Sequence, residues 1–204
     1  MFILINQSET AIVHIYKGNR VHKPLEALVD NENYVVLGGG AYTIPKLLKE
    51  KGFDTFVLQG GFAGANVIEN PLKKFEGKKI CPSWNPNLDV KATKYMIDNC
   101  DNLTFISKDI CHDSWVQMED LDTYGDTVTF IKKYLLSCGS RKKKLMHDLV
   151  ALLYIVDSNL AETTRVKMIQ IGNKWGSTHN PKSSTKISIG WDKKLFIEML
   201  NSVG

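Results

Sequence analysis

The chain has 204 residues, 43% of them hydrophobic and 24% charged, with a formal net charge of +4. That is enough for one well-buried domain, and so weak a basic balance does not by itself call for nucleic acid. Cys81, Cys100, Cys111 and Cys138 form no C-x-x-C pair, no apolar run reaches bilayer length and no signal core is present, so a soluble cytoplasmic protein with reduced, mostly buried thiols and no membrane partner is expected.

Short apolar runs alternate with amphipathic stretches, the pattern of an α/β layer fold in a single domain over 1–204. Residues 2–5, 11–16 and 34–37 read as strands, the last running into Gly38-Gly39-Gly40. Residues 41–52 read as a helix, with Thr43 as cap, Pro45 in the first turn and Gly52 as the stop. A strand over 55–58 opens into "QGGFAGAN", a loop with almost no side chains. Residues 81–89, "CPSWNPNLD", read as a proline-stiffened loop. Asp89 is the expected cap of a helix over 89–100, where Val90, Thr93, Met96, Ile97 and Cys100 share a face. A strand follows at 103–107, and 114–126 read as acidic and irregular. "TVTFIKKYLLSC" is a helix stopped by Gly139, the run "RKKK" spans 141–144, and "MHDLVALLYIVD" is an apolar helix. Two late strands alternate cleanly, one through Val166, Met168 and Gln170 and one through Ile187, Ile189 and Trp191. A last helix carries Leu195, Phe196, Met199 and Leu200.

Both glycine loops stand at strand ends, where open α/β sheets bind ligands, but neither spells a phosphate loop or a dinucleotide fingerprint. Each reads equally as a tight turn. Asn85 both donates and accepts, which suits a sugar hydroxyl or a turn. Asp148 at a helix start either caps it or holds a metal, and His147 beside it is a candidate acid. His112 is the other histidine facing a plausible site. Trp84, Trp115 and Tyr42 are the candidates to stack on a base. The 141–144 run reads as a solvated patch before it reads as a phosphate contact.

Taken in order, "QGGFAGANV", "KKFEGKKICPSWNPNLDVKAT", "FISKDICHD", "LMHDLVALLYIVD", "NKWGS" and "ISIGWDKKLF" resemble the inosine-uridine preferring nucleoside hydrolases, from about residue 35 to 196. The resemblance implies a Rossmann-like, mostly parallel sheet flanked by helices. It implies hydrolysis of the N-glycosidic bond of a nucleoside or related ribosyl ligand, with calcium at the carboxyl edge lowering the pKa of the attacking water. Carried over by position, Asp148 and the Gly38 carbonyl are metal ligands and His147 serves the leaving group. Asn66 and Asn85 bind the sugar, and Ser83 stands where many members have a sugar-binding glutamate. A homo-oligomer is a further implication. The family's D-T-D-P-G-x-D-D loop has no counterpart: the first strand runs into Asn6-Gln7-Ser8-Glu9. The implied domain is therefore shortened at its N-terminal end, with a calcium cage incomplete and turnover impaired. Two rival readings follow: a ribosyl-ligand or protein-binding module without turnover, and, third in rank, action on nucleic-acid bases through 141–144 and Lys182, Lys186, Lys193 and Lys194.

Overall fold

The central strands explain why the chain must fold in three layers. In the strand Thr55–Gln59, Phe56 and Leu58 enter one core cluster while Val57 enters the other. In Asn102–Ile106, Leu103 and Phe105 join the first cluster and Ile106 the second. Successive side chains of a strand point to opposite faces, so a strand apolar at both parities needs cover on both sides.

The computed structural model describes residues 2–7, 10–17, 20–26, 34–37, 39–122, 126–137 and 143–202, with side chains from 39–122, 128–137 and 143–202. Its elements, in chain order, begin with strands β1 (Phe2–Gln7), β2 (Thr10–Lys17), β3 (Arg20–Glu26) and β4 (Tyr34–Leu37), then helix α1 (Thr43–Glu50) and β5 (Thr55–Gln59). There follow β6 (Ile80–Pro82), α2 (Trp84–Leu88), α3 (Val90–Asn99), β7 (Asn102–Ile106), α4 (Lys108–Cys111) and β8 (Trp115–Gln117). The rest comprises α5 (Asp126–Ser137), β9 (Lys143–Leu145), α6 (His147–Val156), β10 (Ala161–Ile171), β11 (Lys174–His179), β12 (Thr185–Trp191) and α7 (Lys193–Ser202).

Ten strands make one sheet in the order β3-β2-β1-β4-β5-β7-β12-β10-β11-β6. The central four, β4, β5, β7 and β12, are parallel to one another, as expected for an α/β sheet flanked by helices. Antiparallel wings extend both sides, β1–β2–β3 beyond β4 and β10–β11–β6 beyond β12. Buried residues of α1 and α3 (Pro45, Ala92, Thr93, Met96) lie on the covered sides of those helices. The face toward α1 and α3 closes over Tyr42, Phe56, Ala92, Met96, Leu103 and Phe105; α4 to α7 supply Ile110, Val128, Ile131, Val150 and Phe196 to the other.

Several local expectations change. Strand β3 was not among the expected strands, and it holds Pro24, which cannot donate to a ladder. It pairs with β2 alone, at the edge, and its register shifts beside that proline. The stretch 81–89 is not a loop: it completes β6 and forms α2. The acidic 114–126 stretch contains β8, which pairs with β9 around buried Val116, and a 3-10 turn at 118–120. Thr43 does not cap α1; its Oγ1 donates to Asp89 Oδ2 at 2.8 Å. Asp89 does cap α3, accepting from Ala92 N–H at 2.9 Å. Cys81, Cys100 and Cys111 are buried free thiols. Gly38, Cys138, Gly139, Arg141 and Lys142 lie outside the described residues. No described helix is long and apolar enough to cross a membrane.

Candidate functional site

A cavity of about 280 Å³ opens at the carboxyl edge of the parallel strands. It is lined by Gln59, the last residue of β5, by Ser83, Trp84 and Asn85 after β6, by Lys108 and His112 after β7, and by His147 and Asp148 from the start of α6. This is where a parallel sheet diverges into its loops and leaves room for a ligand.

His147 and Asp148 open α6, and neither caps it: the cap position is Met146, with no side-chain hydrogen bond. The capping alternative for Asp148 therefore falls. Its carboxylate instead lies beside Gly39, just past β4, where an added Cβ would stand 3.2 Å from Oδ1. Burial holds the Asp148 carboxyl above its usual range. The Nε2 atom of His147 is buried and has no hydrogen-bond partner among the described residues. Burial, then the ammonium groups of Lys74, Lys144 and Lys108, lowers its pKa, so the ring is neutral at pH 7.

His112 packs against His147, with ring centroids 5.2 Å apart. Its Nδ1 accepts a hydrogen bond from Lys74 Nζ. Burial first, then Lys74, His147 and Lys108, pushes His112 down to about 4. Behind it, Phe75 meets the His112 ring edge-on at 5.4 Å. Lys108 Nζ donates to the Pro82 carbonyl at 2.7 Å.

Ser83 and Asn85 reach the cavity wall with their polar atoms already engaged. Asn85 Nδ2 donates to the Gln59 carbonyl at 2.9 Å and to Gln59 Oε1, and its Oδ1 accepts from Gly40 N–H at 3.1 Å. Ser83 Oγ accepts from Gly61 N–H at 3.1 Å. The two side chains brace the loops after β4, β5 and β6 against one another. Asn66 is not at the cavity. It is exposed on a turn that packs toward β11, where Nδ2 donates to the Ser177 carbonyl at 3.2 Å.

The glycine loop holds protein rather than ligand. Gly60, at φ +143°, faces the Tyr42 hydroxyl and Pro86, and Gly61, at φ +74°, faces Met168 and Phe105. A side chain would strain the backbone at both places and, at Gly60, run into the Tyr42 hydroxyl. Tyr42 is fully buried, with its hydroxyl on the Gln59 carbonyl at 2.8 Å, so it is not a stacking surface. Trp84, 78% exposed at the cavity, keeps an open face. Trp115 lies on β8 under Lys143. Gln59 and Lys108 were missed by sequence reasoning, because a strand-end glutamine and a lone lysine carry no motif.

Calcium takes six to eight oxygen ligands. Among the described residues, Asp148 is the cavity's one carboxylate, the amide oxygen of Asn85 accepts from Gly40 N–H and that of Gln59 from Asn85 Nδ2, and the remaining lining side chains are a hydroxyl, an indole, two imidazoles and an ammonium. No group of three or more His, Cys, Asp or Glu among the described residues is placed to hold a metal ion. The described donors do not fit a calcium ion.

No family model matches the chain. It is 30% identical, over 189 residues and 85% of its length, to an uncharacterized protein of Aquifex aeolicus (strain VF5). Among solved structures it is similar to a plant nucleoside hydrolase, the PpNRh1 enzyme, with a TM-score of 0.54, 16% identity and 82% of the chain covered. It is also similar to a purine-preferring ribonucleoside hydrolase from Gardnerella vaginalis, with a TM-score of 0.53, 16% identity and 79% covered. The chain spans 64% of the Aquifex protein and 60% and 57% of the two hydrolase chains. Its fold is nucleoside hydrolase-like.

Proposed function

We propose that the cavity binds a nucleoside or related ribosyl ligand and hydrolyses its N-glycosidic bond. The observation that carries this reading is the buried Nε2 of His147, without a hydrogen-bond partner among the described residues, beside Asp148 at the carboxyl edge of a nucleoside hydrolase-like sheet. In this hydrolysis a water adds to the anomeric carbon, the bond from that carbon to the base nitrogen breaks, and the leaving base gains a proton. A neutral imidazole fits the first proton transfer, taking a proton from water, better than it fits protonating the base. That reverses the role the resemblance implies for His147. Asp148 is the group to stabilise positive charge growing on the ribose, and the Lys108 ammonium is the proton-bearing group in the lining. Trp84 offers an open face for the base.

Incubation with a panel of nucleosides, read as free base and reducing sugar, tests the reading. Release should fall about a hundredfold or more in His147→Ala. A second reading, capture without turnover, is favoured by the single carboxylate of the described lining. Nucleoside binding by calorimetry with no release from the wild type selects it. Neither binding nor release removes both.

A further inference from the structure

The charge around this cavity exceeds what a neutral nucleoside needs. Lys74, Lys78 and Lys108 all stand over one ring, Phe75, with Nζ atoms 5.0, 5.9 and 6.0 Å from its centroid. Phe75 is 4% exposed, so it fixes a floor on which three ammonium groups from two separate segments gather. None of them makes an ion pair with a described carboxylate; the ion pairs of the described residues use Lys46, Lys49, Lys193 and Lys194. Lys74 instead donates to the neutral ring of His112. Lys108 and His112 are in the cavity lining, so the cluster is continuous with the ribosyl site rather than a separate surface patch. Like charges gathered over one ring repel, which opposes the attraction of each to the ring face. An anion relieves that repulsion and accepts from every free N–H. A cavity of about 280 Å³ is at the small end for a ligand site, which leaves a charged tail of the ligand at its rim, where Lys74 and Lys78 are exposed.

We infer that the site takes a phosphorylated ribosyl ligand, its phosphate held by Lys74, Lys78 and Lys108 over Phe75 and its sugar beside His147 and Asp148. The inference rests on the proposed ribosyl site. Titration calorimetry with adenosine, adenosine 5′-monophosphate and inorganic phosphate separates the two. The monophosphate should bind about tenfold or more tighter than adenosine, about 1.4 kcal/mol, with an advantage that shrinks as salt is added. In the double variant Lys74→Gln/Lys78→Gln, two exposed positions, the ratio of monophosphate to adenosine affinity should fall close to one. Equal binding of adenosine and its monophosphate overturns the phosphate inference and leaves the ribosyl site standing. Inorganic phosphate binding as tightly as the monophosphate, with adenosine inert, overturns the ribosyl site. No binding by any of the three overturns both, and an advantage that survives the double variant removes Lys74 and Lys78 from the phosphate site.

Discussion

Asp109 and His112, on neighbouring turns after β7, should pull stability in opposite directions over the same pH range. Asp109 is 4% exposed; its Oδ2 accepts from Ala63 N–H at 2.8 Å while Oδ1 has no described partner. Burial raises its carboxyl from 3.8 to about 6. A group raised in this way contributes stability that is full below the unfolded pKa and is lost as pH climbs through the folded one. At 1.36 kcal/mol per pH unit, that loss is about 3 kcal/mol between about pH 4 and pH 7. His112 is depressed from 6.5 to about 4, so its contribution is present above pH 6.5 and lost as pH falls toward 4. Partial exposure to solvent reduces the histidine figure to about 1–2 kcal/mol. His147, also depressed, and Asp148, also raised, add to the two sides in turn. The wild-type curve should therefore be shallow, and the variants should separate the opposing slopes. Denaturant unfolding of wild type, Asp109→Asn and His112→Asn at about pH 4, 5, 6 and 7 reads this out. Relative to wild type, Asp109→Asn should gain about 3 kcal/mol as pH rises across that range, and His112→Asn should lose about 1–2. An offset for Asp109→Asn that stays constant with pH would refute the reasoning, since it would mean the carboxyl ionises alike in folded and unfolded chains.

Two further expectations test what holds the site walls. Gly60→Ala forces a side chain onto φ +143° and into the Tyr42 hydroxyl, with Pro86 Cδ at 3.0 Å. Backbone strain and overpacking together should cost about 2–5 kcal/mol in unfolding free energy, and an unchanged midpoint would show that the loop has room the structure does not give it. Asn85→Ala removes the donors to the Gln59 carbonyl and Oε1 and leaves Gly40 N–H without its acceptor. A loss of about 2–4 kcal/mol is expected. Full stability with weakened nucleoside binding would instead make Asn85 a ligand group.

The sequence made legible whatever is encoded between neighbours in the chain. Phe56, Val57 and Leu58 announce a doubly covered strand, Asp89 announces a cap, and His147-Asp148, adjacent at a helix start, announces two residues that line the cavity. Strand β3 holds Pro24, whose cost depends on edge position, a property of the sheet and not of the segment. The glycines after β5 looked like room for a ligand because a missing side chain has two physical uses, and only Tyr42 and Pro86, brought in from other segments, decide between them. The same limit governs the electrostatics. Absent carboxylates can be counted in a linear string, since the aspartate loop they belong to is a local motif. Gathered cations cannot: Lys74, Lys78 and Lys108 look like solvated lysines until Phe75 and His112 collect them at the mouth of one cavity. A reading based on the missing anions alone therefore describes a weakened metal site. In the fold one ammonium, Lys108, and one carboxylate, Asp148, line the cavity, and Lys74 and Lys78 join Lys108 over Phe75 beside it, which is the cluster the inferred phosphate would complement.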